Sequence, residues 1–178
     1  MTVEALRRHR PETLGELLET YGRELQAVAY LILRDRADAE DVVVETLLTA
    51  FERGGSIRDE RALRAWLIRV ATNHALGARR RSGRVVRLDV VPDRAAVGDL
   101  GADSSTRIVL LDGIADLPLQ MRAALVLRYY ADLSVEEIAA TLNKSPNTIK
   151  AQLQTALDRL RLHLAEPADP SVAEARHA

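Results

Sequence analysis

The stretch Leu133 to Lys150, LSVEEIAATLNKSPNTIK, holds two helix starts and one stop in the order that a helix-turn-helix needs. Ser134 stands three residues before Glu137, the spacing of a capping box, in which hydroxyl and carboxylate each satisfy a free backbone N–H at a helix start. The helix so opened ends near Leu142. Asn143-Lys144-Ser145 makes a tight turn, and Pro146 suits the first position of a further helix, where its missing N–H leaves no bond unmade, with Ser145 as the cap. Ile149, Leu153, Ala156, Leu157, Leu160 and Leu164 form the apolar stripe of that helix. Two short helices joined by such a turn define a helix-turn-helix, whose second helix enters the major groove with its N-terminal residues foremost. The residues set outward are Asn147, Thr148, Lys150, Gln152, Gln154 and Thr155, all groups that read base edges or hold phosphates. The same caps would stabilise any helical hairpin, so the pattern alone leaves that reading open.

Working back towards the N-terminus, a helix from about Ser105 to Asp116 and another from Pro118 to Tyr130 complete a helical unit over residues 107–165. Residues 86–106 lose all periodicity and collect Pro, Gly, Ser and acidic groups. A structureless segment of about twenty residues is improbable inside a compact domain, so this one reads as a linker between two units. The tail, residues 166–178, has two prolines and little to bury, and is expected to be disordered.

The first unit, residues 1–85, reads as three helices. Pro11 and Glu12 open one that runs to about Leu33, with Leu14, Leu17, Leu18, Tyr21, Leu25, Val28, Ala29 and Ile32 inward. Asp38, as N-cap, opens the second, whose inward stripe is Ala39, Val43, Thr46, Leu47, Ala50 and Phe51. Its other side mixes Asp41, Val44, Glu45, Leu48 and Glu52, two aliphatic residues among acids, in the manner of a protein-binding surface with an apolar centre and a charged rim. Two incidental exposed aliphatics would look the same. Gly54 and Gly55 end that helix, and an irregular loop leads to Arg61–Arg84, RALRAWLIRVATNHALGARRRSGR, with seven arginines and no acid. Leu63, Trp66, Leu67, Val70 and Ala71 give it one apolar face; Arg61, Arg69, Thr72, Arg79 and Arg80 project from the other side, with Arg64 and Asn73 near the boundary. Clustered arginines bind phosphates through forked donors and gain from counterion release, so this helix is a candidate for a polyanion, against the plainer reading of a solvated surface.

Composition narrows the class. Net charge is −1 over 178 residues, so nucleic-acid binding rests on where charges lie rather than on their sum. Hydrophobic content of 47 % with only 3 % aromatic residues suits packed helices, an all-α fold of two small domains. With no cysteine there are no disulfides or thiolate metal sites, and His9, His74, His163 and His177 show no ligand spacing; no metal or cofactor is expected. His74 reads as a core histidine. The longest apolar run, Ala27 to Leu33, is far too short to span a membrane, and a cytoplasmic protein is the expectation. The sequence holds no phosphate loop, nucleophile elbow or convergent His/carboxylate set, so no catalytic residues are expected.

Two motif sets, in order and separated by a linker, make the chain resemble the extracytoplasmic-function group (group IV) of sigma-70 factors over Leu14 to Leu164. The first is Ala39-Glu40-Asp41 with Glu45-Thr46-Leu47, then Ala65-Trp66-Leu67, Ala71-Thr72-Asn73 and Arg79-Arg80-Arg81. The second is Leu117-Pro118, Arg122, Leu127-Arg128-Tyr129, Leu133-Ser134, Glu137-Ile138-Ala139, Ser145 and Thr148-Ile149-Lys150. The resemblance implies a non-catalytic subunit that binds core RNA polymerase, directs it to promoters and assists melting. On that pattern Asp41, Val44, Glu45 and Leu48 face the clamp helices of the largest subunit, and the second unit reaches the flap of the second-largest. Arg61, Arg64, Arg69, Asn73, Arg79, Arg80 and Arg81 meet the downstream promoter element as double- and single-stranded DNA, with the loop Gly54 to Glu60 capturing a flipped base. The helix-turn-helix reads the upstream element, and an anti-sigma factor is an expected partner. Val44 departs from a usual Gln, Gly77 from an acidic residue, and Gln152, Thr155 and Leu157 from basic ones, so the upstream helix has few phosphate partners. The competing reading is a helix-turn-helix regulator with an unrelated N-terminal interaction domain.

Overall fold

The computed structural model describes residues 3–8, 10, 12–57, 59–82 and 104–165, except the side chains of residues 5, 56, 60, 61, 81, 82 and 104–107. The expected tail lies outside them. So does the expected linker, apart from residues 104–106, which already belong to a helix.

The described chain is helical throughout: α1 (Val3–Arg7), α2 (Glu12–Leu33), α3 (Arg36–Arg53), a 3-10 turn (Gly54–Ser56), α4 (Glu60–Ser82), α5 (Ser104–Ala115), α6 (Leu119–Tyr129), α7 (Val135–Leu142) and α8 (Pro146–Ala165). α2, α3 and α4 pack on one another, and α8 packs against α5, α6 and α7. A Cβ at Gly113 would lie 2.9 Å from His163 Cδ2 and 3.0 Å from Leu160 Cδ2, so a glycine lets α5 approach α8. α1 adds a short helix to the three expected in the first unit: Val3 and Leu6 are buried, and Arg7 donates through Nε to the Gly55 carbonyl (3.2 Å) and through Nη2 to that of Ile57 (3.3 Å).

Several expectations are corrected. α3 begins at Arg36, because Asp35 in extended geometry accepts the Asp38 amide at 3.0 Å; Asp38 is a first-turn residue and not the cap. Leu18 and Leu164, expected inward, are 52 % and 47 % exposed. Thr72, expected outward, is fully buried and turns its hydroxyl back to the Ile68 carbonyl at 2.8 Å.

The two helical units also meet. α2 packs against α6 and α5, α4 packs against α7, and buried residues from both units join one continuous apolar cluster. This explains why Ala27 to Leu33 are buried on every side: α3 and α4 cover part of α2, and α6 covers more. Arg122 ties the seam. Its Nη1 donates to the Ile32 carbonyl at 2.8 Å, while Nη2 donates to the carbonyls of Ala115 (2.7 Å) and Leu117 (3.0 Å). One guanidinium thus satisfies carbonyls at the C-terminal ends of α2 and α5, which their own helices leave without partners. Burial first, then the charges of Arg34 and Arg79, lower its pKa from the ordinary arginine value to about 10, still charged at neutral pH.

Candidate polymerase and promoter surfaces

Three surfaces carry the expected site residues, one on each of α3, α4 and α8.

On α3, Ala39, Val42, Val43, Thr46, Leu47 and Ala50 are buried against the neighbouring helices. The opposite side exposes Val44 (57 %) and Leu48 (50 %), flanked by exposed Asp41 and half-buried Glu45. All four expected residues therefore share one face, an apolar pair one turn apart inside an acidic rim. Behind that face stands His74 of α4, with Nδ1 2.9 Å from Glu45 Oε2 and Nε2 3.1 Å from Thr49 Oγ1. The expectation of a core histidine is thereby replaced by a half-buried, doubly partnered one.

On α4, Leu63, Leu67, Ile68, Ala71, Ala75 and Leu76 are buried, and Arg69, Asn73 and Arg80 are exposed, with Arg79 half-buried. Arg61 and Arg81 lie on the same helix, their side chains outside the described residues. Arg64 stands apart. It grips Glu24 of α2 with two nitrogens, Nε to Oε2 at 3.1 Å and Nη2 to Oε1, and Nη2 also donates to the Ala131 carbonyl at 3.1 Å. Nearby, Trp66 and Arg69 line a cleft whose other wall is Leu133, Glu137, Ala140 and Thr141.

On α8 the N-terminal caps form as the sequence predicts. Ser134 Oγ accepts the Glu137 amide at 3.2 Å and the Glu137 carboxylate accepts the Ser134 amide at 2.8 Å, which opens α7. The Ser134 amide and hydroxyl, both donating to that carboxylate, hold it below its usual pKa. Asn143 closes α7 in left-handed geometry (φ 53°), a conformation that its short amide tolerates. Ser145 Oγ then accepts the Thr148 amide at 3.1 Å, with Pro146 as the first residue of α8. Asn147, Thr148, Lys150, Gln154 and Thr155 are exposed. Gln152 is not: it is half-buried, and its Oε1 is buried without a hydrogen-bond partner among the described residues, which corrects its assignment as an outward reader. Gln154 Nε2 donates to both oxygens of Asp158, at 3.1 and 3.2 Å, and Arg161 pairs with the same carboxylate at 2.8 Å, so the acid on this side is already compensated.

Sequence reasoning missed Glu24 altogether, and the inter-helix roles of Arg122 and His74. Arg122 had a signal in the Leu117-Pro118 motif that it closes; Glu24 and His74 act across helices, where periodicity is silent. No helix among the described residues is long and apolar enough to cross a membrane.

Comparison with known proteins supplies the class. The chain matches the family descriptions "Sigma-70 region 2" over residues 17–85 and "Sigma-70, region 4" over residues 107–160. The chain therefore belongs to the sigma-70 family, and within it to the extracytoplasmic-function sigma factors. It is 34 % identical over 156 residues to the ECF RNA polymerase sigma factor SigL of Mycobacterium tuberculosis, covering 84 % of this chain and 88 % of that one. Against the RNA polymerase sigma-E factor of Streptomyces coelicolor it is 32 % identical, covering 85 % and 89 %. Among solved structures, the sigma factor RpoE of Bartonella quintana, in complex with the anti-sigma factor NepR, superposes with a TM-score of 0.69 at 22 % identity, over 88 % of this chain and 99 % of that chain. CnrH, in complex with the cytosolic domain of CnrY, gives a TM-score of 0.67 at 20 % identity, over 93 % and 96 %. Both share the all-α fold. The function is promoter-directed initiation of transcription as a subunit of RNA polymerase, and the reading as a regulator with an unrelated N-terminal domain is not favoured.

Proposed function

We propose that the α3 face of Asp41, Val44, Glu45 and Leu48 docks on the clamp helices of core polymerase, and that α4 and α8 hold the downstream and upstream promoter elements. The observation that carries this is the exposed Val44–Leu48 pair: two aliphatic side chains at the centre of an acidic patch, on a helix whose other side is fully packed. Arg69, Asn73, Arg79 and Arg80, with Arg61 and Arg81, serve the downstream element on α4. Asn147, Thr148, Lys150, Gln154 and Thr155 serve the upstream element at the exposed start of α8. Arg64 reaches phosphate only by exchanging Glu24 and the Ala131 carbonyl for it. Residues 1–85 and 107–165 act as the two modules, with 86–106 joining them, and the second reaches the polymerase flap.

The chain performs no catalysis of its own, needs no cofactor, and works in the cytoplasm where its polymerase is. An anti-sigma factor as partner is supported by RpoE, which was solved with the anti-sigma factor NepR, and the same α3 face is the surface it would compete for. Val44→Asp with Leu48→Asp tests the docking assignment. The double variant is expected to lose association with core polymerase in pull-down while its circular dichroism stays that of the parent. Retained association would move the contact elsewhere.

A further inference from the structure

His74 bridges α3 and α4 on the polar side of their seam. The ring of His74 leaves α4 between Glu45 and Thr49, with Nδ1 2.9 Å from the carboxylate and Nε2 3.1 Å from the hydroxyl. Glu45 and Thr49 lie four residues apart, on one turn of α3, and the Thr49 hydroxyl also sits 2.8 Å from the Glu45 carbonyl. If that hydroxyl donates along its own helix, it turns lone pairs towards the ring. The carboxylate is an acceptor only. Both ring nitrogens then face acceptors, and the ring donates twice when protonated; a neutral ring keeps both contacts only if Thr49 redirects its proton.

Val44 and Leu48 immediately precede Glu45 and Thr49 in sequence, so the turn that the ring holds is the turn that bears the exposed apolar pair. On the other side, His74 is the residue next to exposed Asn73 and shares α4 with Arg69 and Arg80. A ring bonded at two points of one turn restricts the roll of α3 about its axis as well as its distance from α4, which a single contact would not do.

We propose that His74 is a positioning residue for polymerase docking: it fixes Glu45, and with it the Val44–Leu48 turn, against the promoter-facing helix. Polymerase and DNA contacts are thereby presented in one set relation. The inference rests on the reading of α3 as the docking face.

The test is a double-mutant cycle on affinity for core polymerase, using the full chain with His74→Ala, Glu45→Gln and the two combined, and with His74→Gln, which keeps a donor. Expected are a loss of about two- to five-fold for His74→Ala, as for a partly exposed charge-assisted pair, and a smaller loss for His74→Gln. In the Glu45→Gln background, His74→Ala should cost little more, because its main partner is already altered. All variants should keep the parent's helix content, and His74→Gln should melt within about 5 °C of it. Unchanged affinity in His74→Ala, or losses that simply add, overturns the positioning role. The Val44→Asp, Leu48→Asp variant separates the causes: if it no longer binds core while His74→Ala binds normally, only the histidine inference fails; if it still binds core, the docking face itself is misplaced.

Discussion

α4 and α8 are both assigned to DNA, yet they stand in opposite circumstances. α8 packs on α5, α6 and α7 of its own unit and leaves Asn147, Thr148 and Lys150 in solvent. α4 shares its surface with the other unit: Arg64 is held by Glu24 and Ala131, and Trp66 and Arg69 face α7 across a cleft. On the proposed assignment, folding alone readies the upstream reader, whereas part of the downstream surface depends on how closely the two units stay together. The seam that sets this is built from α2, α5 and α6, with α4 and α7 beside it.

The largest effect is expected at the seam. Arg122→Ala removes a buried guanidinium that serves the carbonyls of Ile32, Ala115 and Leu117, and should cost about 2–4 kcal/mol in urea unfolding. A loss well under 1 kcal/mol would mean that water replaces it and that the units are not joined there.

Glu24→Gln comes next and acts in two directions. It weakens the Arg64 pair, which is partly exposed on both sides, so stability should fall by about 0.5–1 kcal/mol. It also frees a guanidinium for phosphate, so binding of a downstream-element fragment should tighten, with a salt slope steeper by about 0.9 for one added contact. Fluorescence anisotropy over a salt series reads both affinity and slope; an unchanged slope would show that Arg64 is never a DNA ligand.

On α8, Asp158→Asn should have a smaller effect. The carboxylate is already paired with Arg161 and bonded by Gln154, so removing its charge should change upstream duplex affinity by less than about three-fold. A large gain would show that Asp158 repels the backbone despite its partners.

The smallest effect belongs to the capping box, and its sign follows from Glu137. Its folded pKa is lowered by the Ser134 bonds, so its contribution is complete above the unfolded value of about 4.3 and is lost as pH falls through the lower folded value. The stability difference between the parent and Glu137→Gln should therefore be steady at neutral pH and shrink below about pH 4. A difference that persists unchanged to pH 2 would place the effect outside the carboxylate.

Much of this fold was legible because its signals are local. The Ser134/Glu137 box, Asn143 and Ser145-Pro146 fixed α7 and the start of α8 to the residue, since each cap satisfies groups within four positions of itself. The alternation on α3 exposed Val44 and Leu48 correctly, because packed neighbours line its other side. Contacts between elements far apart in sequence stayed hidden: neither the Arg64–Glu24 pair nor the Arg122–Ile32 bond leaves a periodic trace. One trace was present and undervalued. Ala27 to Leu33 is apolar all round, which a helix covered on one side does not need, and it marks where the second unit closes over α2.

The most direct measurement is a hydroxyl-radical footprint of the holoenzyme, formed from this chain and core polymerase, on a promoter that it transcribes. A two-site grip on the promoter by α4 and α8 predicts two separate protected patches. The upstream one should be lost with Asn147→Ala and Lys150→Ala, and the downstream one with Arg69→Ala and Asn73→Ala. A single patch, or both patches lost together with either pair of substitutions, would contradict it.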